Sequence, residues 1–264
     1  MVKLKTNVGS FLDLLKMVEL EGKSPEGSTE VMINGCVLEC KEGKVRITAL
    51  AVIKSVLLDI TYTGATILEE GNLPIGNLSE FLEYLKRFKN SDEVTIELEK
   101  AKSNKILISR VFPKKIAHIS SYDEETIDEY KNGKQALEKF SADEKTATFG
   151  SITYKSSVIL GAENVKEMLD DGNVRNLTRD YPFEITPDGI NCTVGDDTRG
   201  KIENFTLAKG NATDTVKSAF RSGIDNVFRN LSGDLVIFME NDAPMVVVKV
   251  ADNYIAKFVI APRI

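Results

Sequence analysis

Asn77-Leu78-Ser79-Glu80-Phe81-Leu82-Glu83-Tyr84-Leu85-Lys86-Arg87-Phe88-Lys89-Asn90 is the stretch on which the fold turns. Its apolar residues Leu78, Phe81, Leu82, Leu85 and Phe88 fall at i, i+3, i+4, i+7 and i+10, the repeat of one helix face. Asn77 or Ser79 can cap the start, and Glu80 lies in the first turn, where the helix dipole favours a negative charge. A polar turn, Ser91-Asp92-Glu93, then leads into apolar Val94. The same succession recurs later. Residues 214–231 carry Val216, Ala219, Phe220, Ile224, Val227, Phe228 and Leu231, and Ser232-Gly233-Asp234 leads into Leu235. The spacing predicts a second long helix there, stopped by Gly233.

Two shorter amphipathic helices are expected at 10–21 (Phe11, Leu12, Leu14, Leu15, Val18) and 162–171 (Val165, Met168, Leu169). Between the helices the pattern changes to short β-rich runs. In the first half these are 31–40, 45–53, 55–62, 94–99 and 105–112; in the second, 183–186, 189–194, 202–208, 234–240, 245–250 and 254–260. Glu42-Gly43, Asp188-Gly189, Asn241-Asp242 and Asp252-Asn253 supply tight turns between them. Strands joined so closely are antiparallel. The fold class is therefore α+β, with no parallel doubly wound sheet. The order helix, strands, helix, strands runs from 10 to 112 and again from 162 to 260, an internal duplication of architecture. Residues 1–112 and 149–264 are expected as two similar domains. The segment between them, 113–148, is rich in Asp, Glu, Lys and Ser and reads as an exposed connector with one short helix near 135–140.

The chain of 264 residues is long enough for two such domains. Its net charge is −6 and its pI near 5.1, so any positive charge offered to nucleic acid must be gathered on one face. No apolar run reaches the roughly 18 residues of a membrane span, and Met1-Val2-Lys3-Leu4-Lys5 leads into polar residues rather than a secretory h-region. Cys36, Cys40 and Cys192 fit no disulfide framework, which points to a reducing compartment.

Candidate chemistry is sparse. Gly195-Asp196-Asp197-Thr198-Arg199-Gly200-Lys201 fits the front of a phosphate-binding loop, but Ile202 stands where magnesium coordination wants a hydroxyl, and a strand follows rather than a helix. A hairpin turn accounts for it better. His118 is the only histidine, and no G-x-S-x-G elbow is present. Asp196 and Asp197, with neighbouring carboxylates, leave a magnesium-dependent enzyme as one alternative; a β-rich interaction module without a nucleic-acid role is another. The polar helix faces are more suggestive. Lys217, Arg221, Asp225 and Arg229 recur every four residues, and Lys86, Arg87 and Lys89 cluster in the other long helix. Both basic helices occupy the same place in the repeat.

At the C-terminus, Ala243-Pro244-Met245-Val246-Val247-Val248-Lys249-Val250-Ala251-Asp252 resembles the x-P-L-V-V-x-Y-x-I-A-D run of sliding clamps of the proliferating-cell nuclear antigen type. Lys257-Phe258-Val259-Ile260-Ala261-Pro262-Arg263-Ile264 is similar to that family's K-Y-Y-L-A-P-K-I ending. Gly9-Ser10-Phe11-Leu12, Gly35-Cys36-Val37-Leu38-Glu39-Cys40 and Asn72-Leu73-Pro74-Ile75 sit where the family places its first helix, the following strand and the approach to its second helix. The resemblance implies the DNA clamp fold, in which each domain pairs two helices with antiparallel sheets. Three identical chains would then close head to tail into a ring around double-stranded DNA, as a processivity factor without enzymatic activity, cofactor, metal or membrane contact.

On that mapping Lys16, Arg87, Lys89, Lys166, Lys217, Arg221 and Arg229 face the duplex. DNA polymerase, nucleases and ligase would insert short apolar motifs into a pocket formed by Cys40, Val45, Ile47, Pro244, Ala261, Pro262 and Ile264, with Ile119 and its neighbours from Ile116 supplied by the connector. A clamp-loader ATPase would open the ring. The implied location is cytoplasmic or nucleoid-associated, nuclear in a eukaryote, and not secreted. The family pattern is broken at the first helices, 10–21 and 162–171, which carry net charges of −2 and −3.

Overall fold

The computed structural model describes residues 2–23, 29–51, 54–100, 104–174, 180–196, 201–208, 215–220 and 224–262. The first half begins with β1 (Val2–Asn7), α1 (Val8–Glu19), β2 (Glu21–Lys23), β3 (Thr29–Val31), β4 (Cys36–Lys41), β5 (Lys44–Leu50) and β6 (Val56–Tyr62). It continues through β7 (Ala65–Glu69), β8 (Gly71–Ile75), α2 (Leu78–Leu85), β9 (Glu93–Lys100), β10 (Asn104–Arg110) and β11 (Lys115–Ser120). A 3-10 turn and α3 (Asp128–Leu137) precede three short strands, β12 (Phe140–Ala142), β13 (Ala147–Phe149) and β14 (Ile152–Thr153). The second half is β15 (Ser156–Gly161), α4 (Ala162–Val174), β16 (Tyr181–Thr186), β17 (Gly189–Asp196), β18 (Lys201–Ala208) and β19 (Val216–Phe220), then α5 (Ile224–Arg229), β20 (Asp234–Met239), β21 (Met245–Ala251) and β22 (Tyr254–Ile260).

Asn77 caps α2 through its Oδ1, which accepts from the Glu80 backbone N–H at 2.9 Å. Asn7 does the same for α1, accepting from Ser10 N–H at 3.1 Å. Each helix turns its apolar stripe inward: Phe11, Leu14 and Leu15 of α1 and Phe81, Leu82 and Leu85 of α2 are buried against each other and the sheets.

The duplication is explicit in the sheets. An eight-stranded sheet runs β15-β20-β21-β22-β6-β5-β4-β8, flanked by a five-stranded sheet β11-β10-β9-β1-β7 and a four-stranded sheet β18-β17-β16-β19. The run β6-β5-β4-β8 matches β18-β17-β16-β19, and β22-β21-β20-β15 matches β11-β10-β9-β1. All of these strand pairs are antiparallel. The two halves meet where β22 pairs with β6 over seven residues, from Tyr254↔Tyr62 to Ile260↔Val56.

Two expectations need correction. The long helix at 214–231 is not formed: Val216–Phe220 is strand β19, paired with β16, and among the described residues of this stretch only the six of α5 are helical. In β19, Val216, Ser218 and Phe220 are buried while Lys217 and Ala219 point the other way, the alternation of a half-buried strand. Ser218 is fixed by donating its hydroxyl to the Ala243 carbonyl at 3.0 Å. The connector is also more ordered than its composition suggests. Its first strand, β11, belongs to the five-stranded sheet, and its helix lies at 128–137 rather than 135–140.

The connector and the short strands that follow it cover the outer face of the eight-stranded sheet. Leu137, Phe140, Phe149 and Ile152 pack over Leu57, Phe238, Val246, Val248 and Val259. Phe140 and Phe149 meet edge to face at 6.3 Å between centroids. Tyr154 donates its hydroxyl to the Pro244 carbonyl at 2.8 Å. Toward the other end of α3, Tyr130 and Lys134 each donate to Glu39 Oε1 at 2.7 Å. Gly133 touches β5 so closely that a Cβ would stand 2.9 Å from Ala49 Cα. Among the described residues, no helix is long and apolar enough to cross a membrane.

Candidate nucleic-acid interface

α1 packs against α2 and α4 against α5, and α1, α4 and the end of α5 line a common groove. Between the pairs, where the two halves meet, this groove is lined by Ser10, Asp13 and Lys16 of α1, Lys166 of α4, and Arg229, Asn230 and Ser232 at the end of α5. Lys16 reaches this groove 53% exposed, 3.9 Å from Asp13. Lys166, 26% exposed, lies 3.4 Å from Glu163. Exposed pairs of this kind contribute little to stability and leave their lysines free to meet another anion.

Arg229 is different in kind. Its Nε lies 2.7 Å from Asp225 and its Nη1 2.9 Å from Asp170, so it straps α5 to α4. Burial alone lowers its pKa, but the two carboxylates outweigh that and raise it. Its Nη2 is buried without a hydrogen-bond partner. Arg229 therefore acts first as a tie between the helices. Arg229→Gln is expected to lower stability by about 1–3 kcal/mol, because two acceptors lose a charged donor; a thermal melt checks this.

At the other end of α2, Arg87 lies over the Tyr84 ring at 4.2 Å and is exposed, as is Lys89. The Lys89 backbone N–H donates to Asp92 at 2.9 Å, and that bond, with the Arg110 ion pair, holds the Asp92 carboxyl below its usual range. Lys115 from β11 donates to the Arg87 carbonyl and sits 4.7 Å over the Phe88 ring.

Of the remaining expected DNA-facing residues, Lys217 does not join the helix face and Arg221 cannot be placed on it. Lys217, on β19, lies on the side of its sheet opposite the helices and pairs with Glu184 at 2.9 Å. Arg221 lies outside the described residues, as does Asp197 of the acidic turn. Asp196 ends β17, paired with Lys201 of β18, so strands rather than a helix flank the phosphate-loop pattern, whose residues 197–200 lie outside the described ones. Lys115, beside the end of α2, carries no helical or motif signal; only the β10–β11 pairing brings it here.

The expected peptide pocket is not assembled by its residues. Cys40, Val45 and Ile47 are buried in the main core beneath the helices, and burial pushes the Cys40 thiol up to about 12. Strand alternation explains this: in β5 the side chains of Val45, Ile47 and Ala49 go inward and those of Arg46 and Thr48 outward. Ile119 is likewise buried, on β11. Pro244, Ala261 and Pro262 are half-buried, with Pro244 beside the ground the connector covers; Ile264 lies outside the described residues.

No protein-family model and no curated protein sequence matches the chain. The architecture nevertheless defines a class: it is the DNA clamp fold. Solved structures of proliferating-cell nuclear antigens superpose over the full chain. One, from A. fulgidus with the C-terminal region of FEN-1 bound, has a TM-score of 0.74 at 11% identity and is covered to 99%. The antigens of Entamoeba histolytica and Thermococcus kodakaraensis give TM-scores of 0.74 and 0.73 at 13% and 14% identity, with 99% and 100% of their chains covered. The chain thus has the fold of the PCNA-type sliding clamp.

Proposed function

We propose that this protein is a DNA sliding clamp, in which copies of the chain close head to tail around duplex DNA and tether replication and repair enzymes to it. The observation that carries the reading is the β22–β6 seam. Among the described residues the same two kinds of edge stand open elsewhere, because β11 repeats the place of β22 and β18 that of β6. A chain joined to itself internally by one such pairing has the means to join the next copy by an equivalent one, β11 to β18. Repetition of that heterologous contact closes a ring if the rotation suits, and three copies is the number the family resemblance implies.

In such a ring the helix face lines the hole. Lys16, Arg87, Lys89 and Lys166 would meet phosphates without reading bases, as a protein that slides requires. Residues 1–112 and 149–264 would be the two clamp domains, with β11 counted to the first. The protein would hold its place by topology rather than by catalysis. Its partners would be polymerase, ligase, nucleases of the class seen with the A. fulgidus clamp and a loader ATPase, in a compartment that holds DNA. The outer-face connector makes the point of partner attachment particular to this chain.

Light scattering behind a sizing column, over a range of concentrations, tests the ring. A species near three times 29.2 kDa is expected, retained on circular DNA and lost when that DNA is cut. A monomer at every concentration, with no retention, overturns the reading.

A further inference from the structure

The internal seam shows how the edge of one half is finished. The β21–β22 turn lies against the end of β6, where the Asn253 carbonyl accepts from Thr63 N–H at 2.8 Å and from Thr63 Oγ1 at 3.2 Å. Beside it, Asn253 and Tyr254 share a groove with Ser10 and Asp13 of α1. Burial raises the Tyr254 hydroxyl's pKa and the negative Asp13 adds to it, which reports their closeness.

The duplication assigns an equivalent to each part. Arg110↔Lys115 closes the β10–β11 hairpin as Ala251↔Tyr254 closes β21–β22, so Lys115 takes the place of Tyr254. The burial agrees: Ile116 and Ile255 are exposed, whereas Ala117 and Ile119 are buried like Ala256 and Phe258. In α4 the buried residues Ala162, Val165, Met168 and Leu169 repeat Val8, Phe11, Leu14 and Leu15 of α1. Glu167 therefore stands where α1 has Asp13, and it is exposed. Asn164 holds α4 to the β18 edge by donating to the Leu207 carbonyl at 2.7 Å.

The two hairpins differ at their tips. The β10–β11 turn is longer and carries Val111-Phe112-Pro113-Lys114, with Val111 88% and Phe112 89% exposed, the highest values among the exposed large hydrophobics of the described residues. A valine and a phenylalanine side by side in water are unfavourable unless something covers them. Their flank is basic, through Lys114 and Lys115, whereas the matching helix offers Glu167.

We propose that this tip docks on a second copy of the chain, beside α4 and the β18 edge, with Val111 and Phe112 covered there and Lys114 facing Glu167. The proposal rests on the ring reading and adds the anchor that sets how firmly the ring closes. It also gives α4 a reason to carry acid on a face that would otherwise meet DNA.

Analytical ultracentrifugation of the full chain over a concentration series tests it. The double variant Val111→Ser/Phe112→Ser should leave the melting temperature of the dissociated chain unchanged, since both residues are exposed, and raise the concentration at which rings dissociate by about tenfold or more, as loss of an aromatic anchor does. Glu167→Lys and Lys114→Glu should each weaken the ring, and their combination should recover most of the loss. If the parent forms rings and the tip variant dissociates at the same concentration, or the combined charge swap recovers nothing, the proposal is overturned. A parent that is monomeric throughout overturns the ring reading, and this proposal with it.

Discussion

Reversing three charges together, Lys16→Glu, Arg87→Glu and Lys89→Glu, is expected to abolish retention on DNA at about 100 mM salt while leaving the mass in solution unchanged. Each phosphate contact removed should reduce the slope of log affinity against log salt by about 0.9, so three should reduce it by nearly 3 for each copy's share of the duplex. The effect should be large because all three side chains lie on the helix face and none is a structural tie: Lys16 is 53% exposed, and Arg87 and Lys89 are exposed at the end of α2. Lys217→Glu is the control. On the opposite side of its sheet beside Glu184, it should change DNA retention little. A salt titration of both variants on circular DNA decides the matter; equal losses from both would remove the helix face from the duplex.

The second large effect concerns stability. Phe258 is fully buried on β22, opposite Val247 of β21 and Leu58 of β6. Phe258→Ala is expected to destabilise the chain by about 3–5 kcal/mol, from lost apolar burial and the cavity left behind. For a chain of this size that corresponds to a fall in Tm of roughly 10 °C. Because β22 joins the halves, both should lose protection together in hydrogen exchange. Loss confined to residues of the second half would show that the seam does not couple them.

Much of this fold was readable before any coordinate. The 77–90 spacing marks α2, although the regular helix ends at Leu85 and Phe88 is buried beyond it. The turn residues mark the hairpins, and the order of elements marks the duplication. The failure at 214–231 has a definite cause. Val216, Phe220, Ile224 and Phe228 are spaced by four, which suits one face of a helix and also one face of a strand. What decides is the ladder to β16, some thirty residues earlier, which no local window contains. The basic stripe inferred there dissolved with the helix: Lys217 moved to another face and Arg229 became a tie.

The peptide pocket failed for the opposite reason. Alternation in β5 already placed Val45 and Ile47 inside, and transfer by position from a resembling family overrode it. The packing of the connector was not legible because Leu137 and Phe140, with Phe149 and Ile152 just beyond it, are spread thinly among charged residues and acquire meaning only over the outer face of the sheet.

The pairing of β22 with β6 also has a mechanical consequence. In the proposed ring of three such links there would be six joints, of two kinds. Three would lie within a chain, where both sides of the joint are tied by a continuous backbone and spanned by the packed connector. The other three would be held by contact alone. A machine prying such a ring apart would meet three stiff arms and three latches. The opening would fall at a latch, its ease set at one strand edge and one hairpin, independently of the strength of the arms.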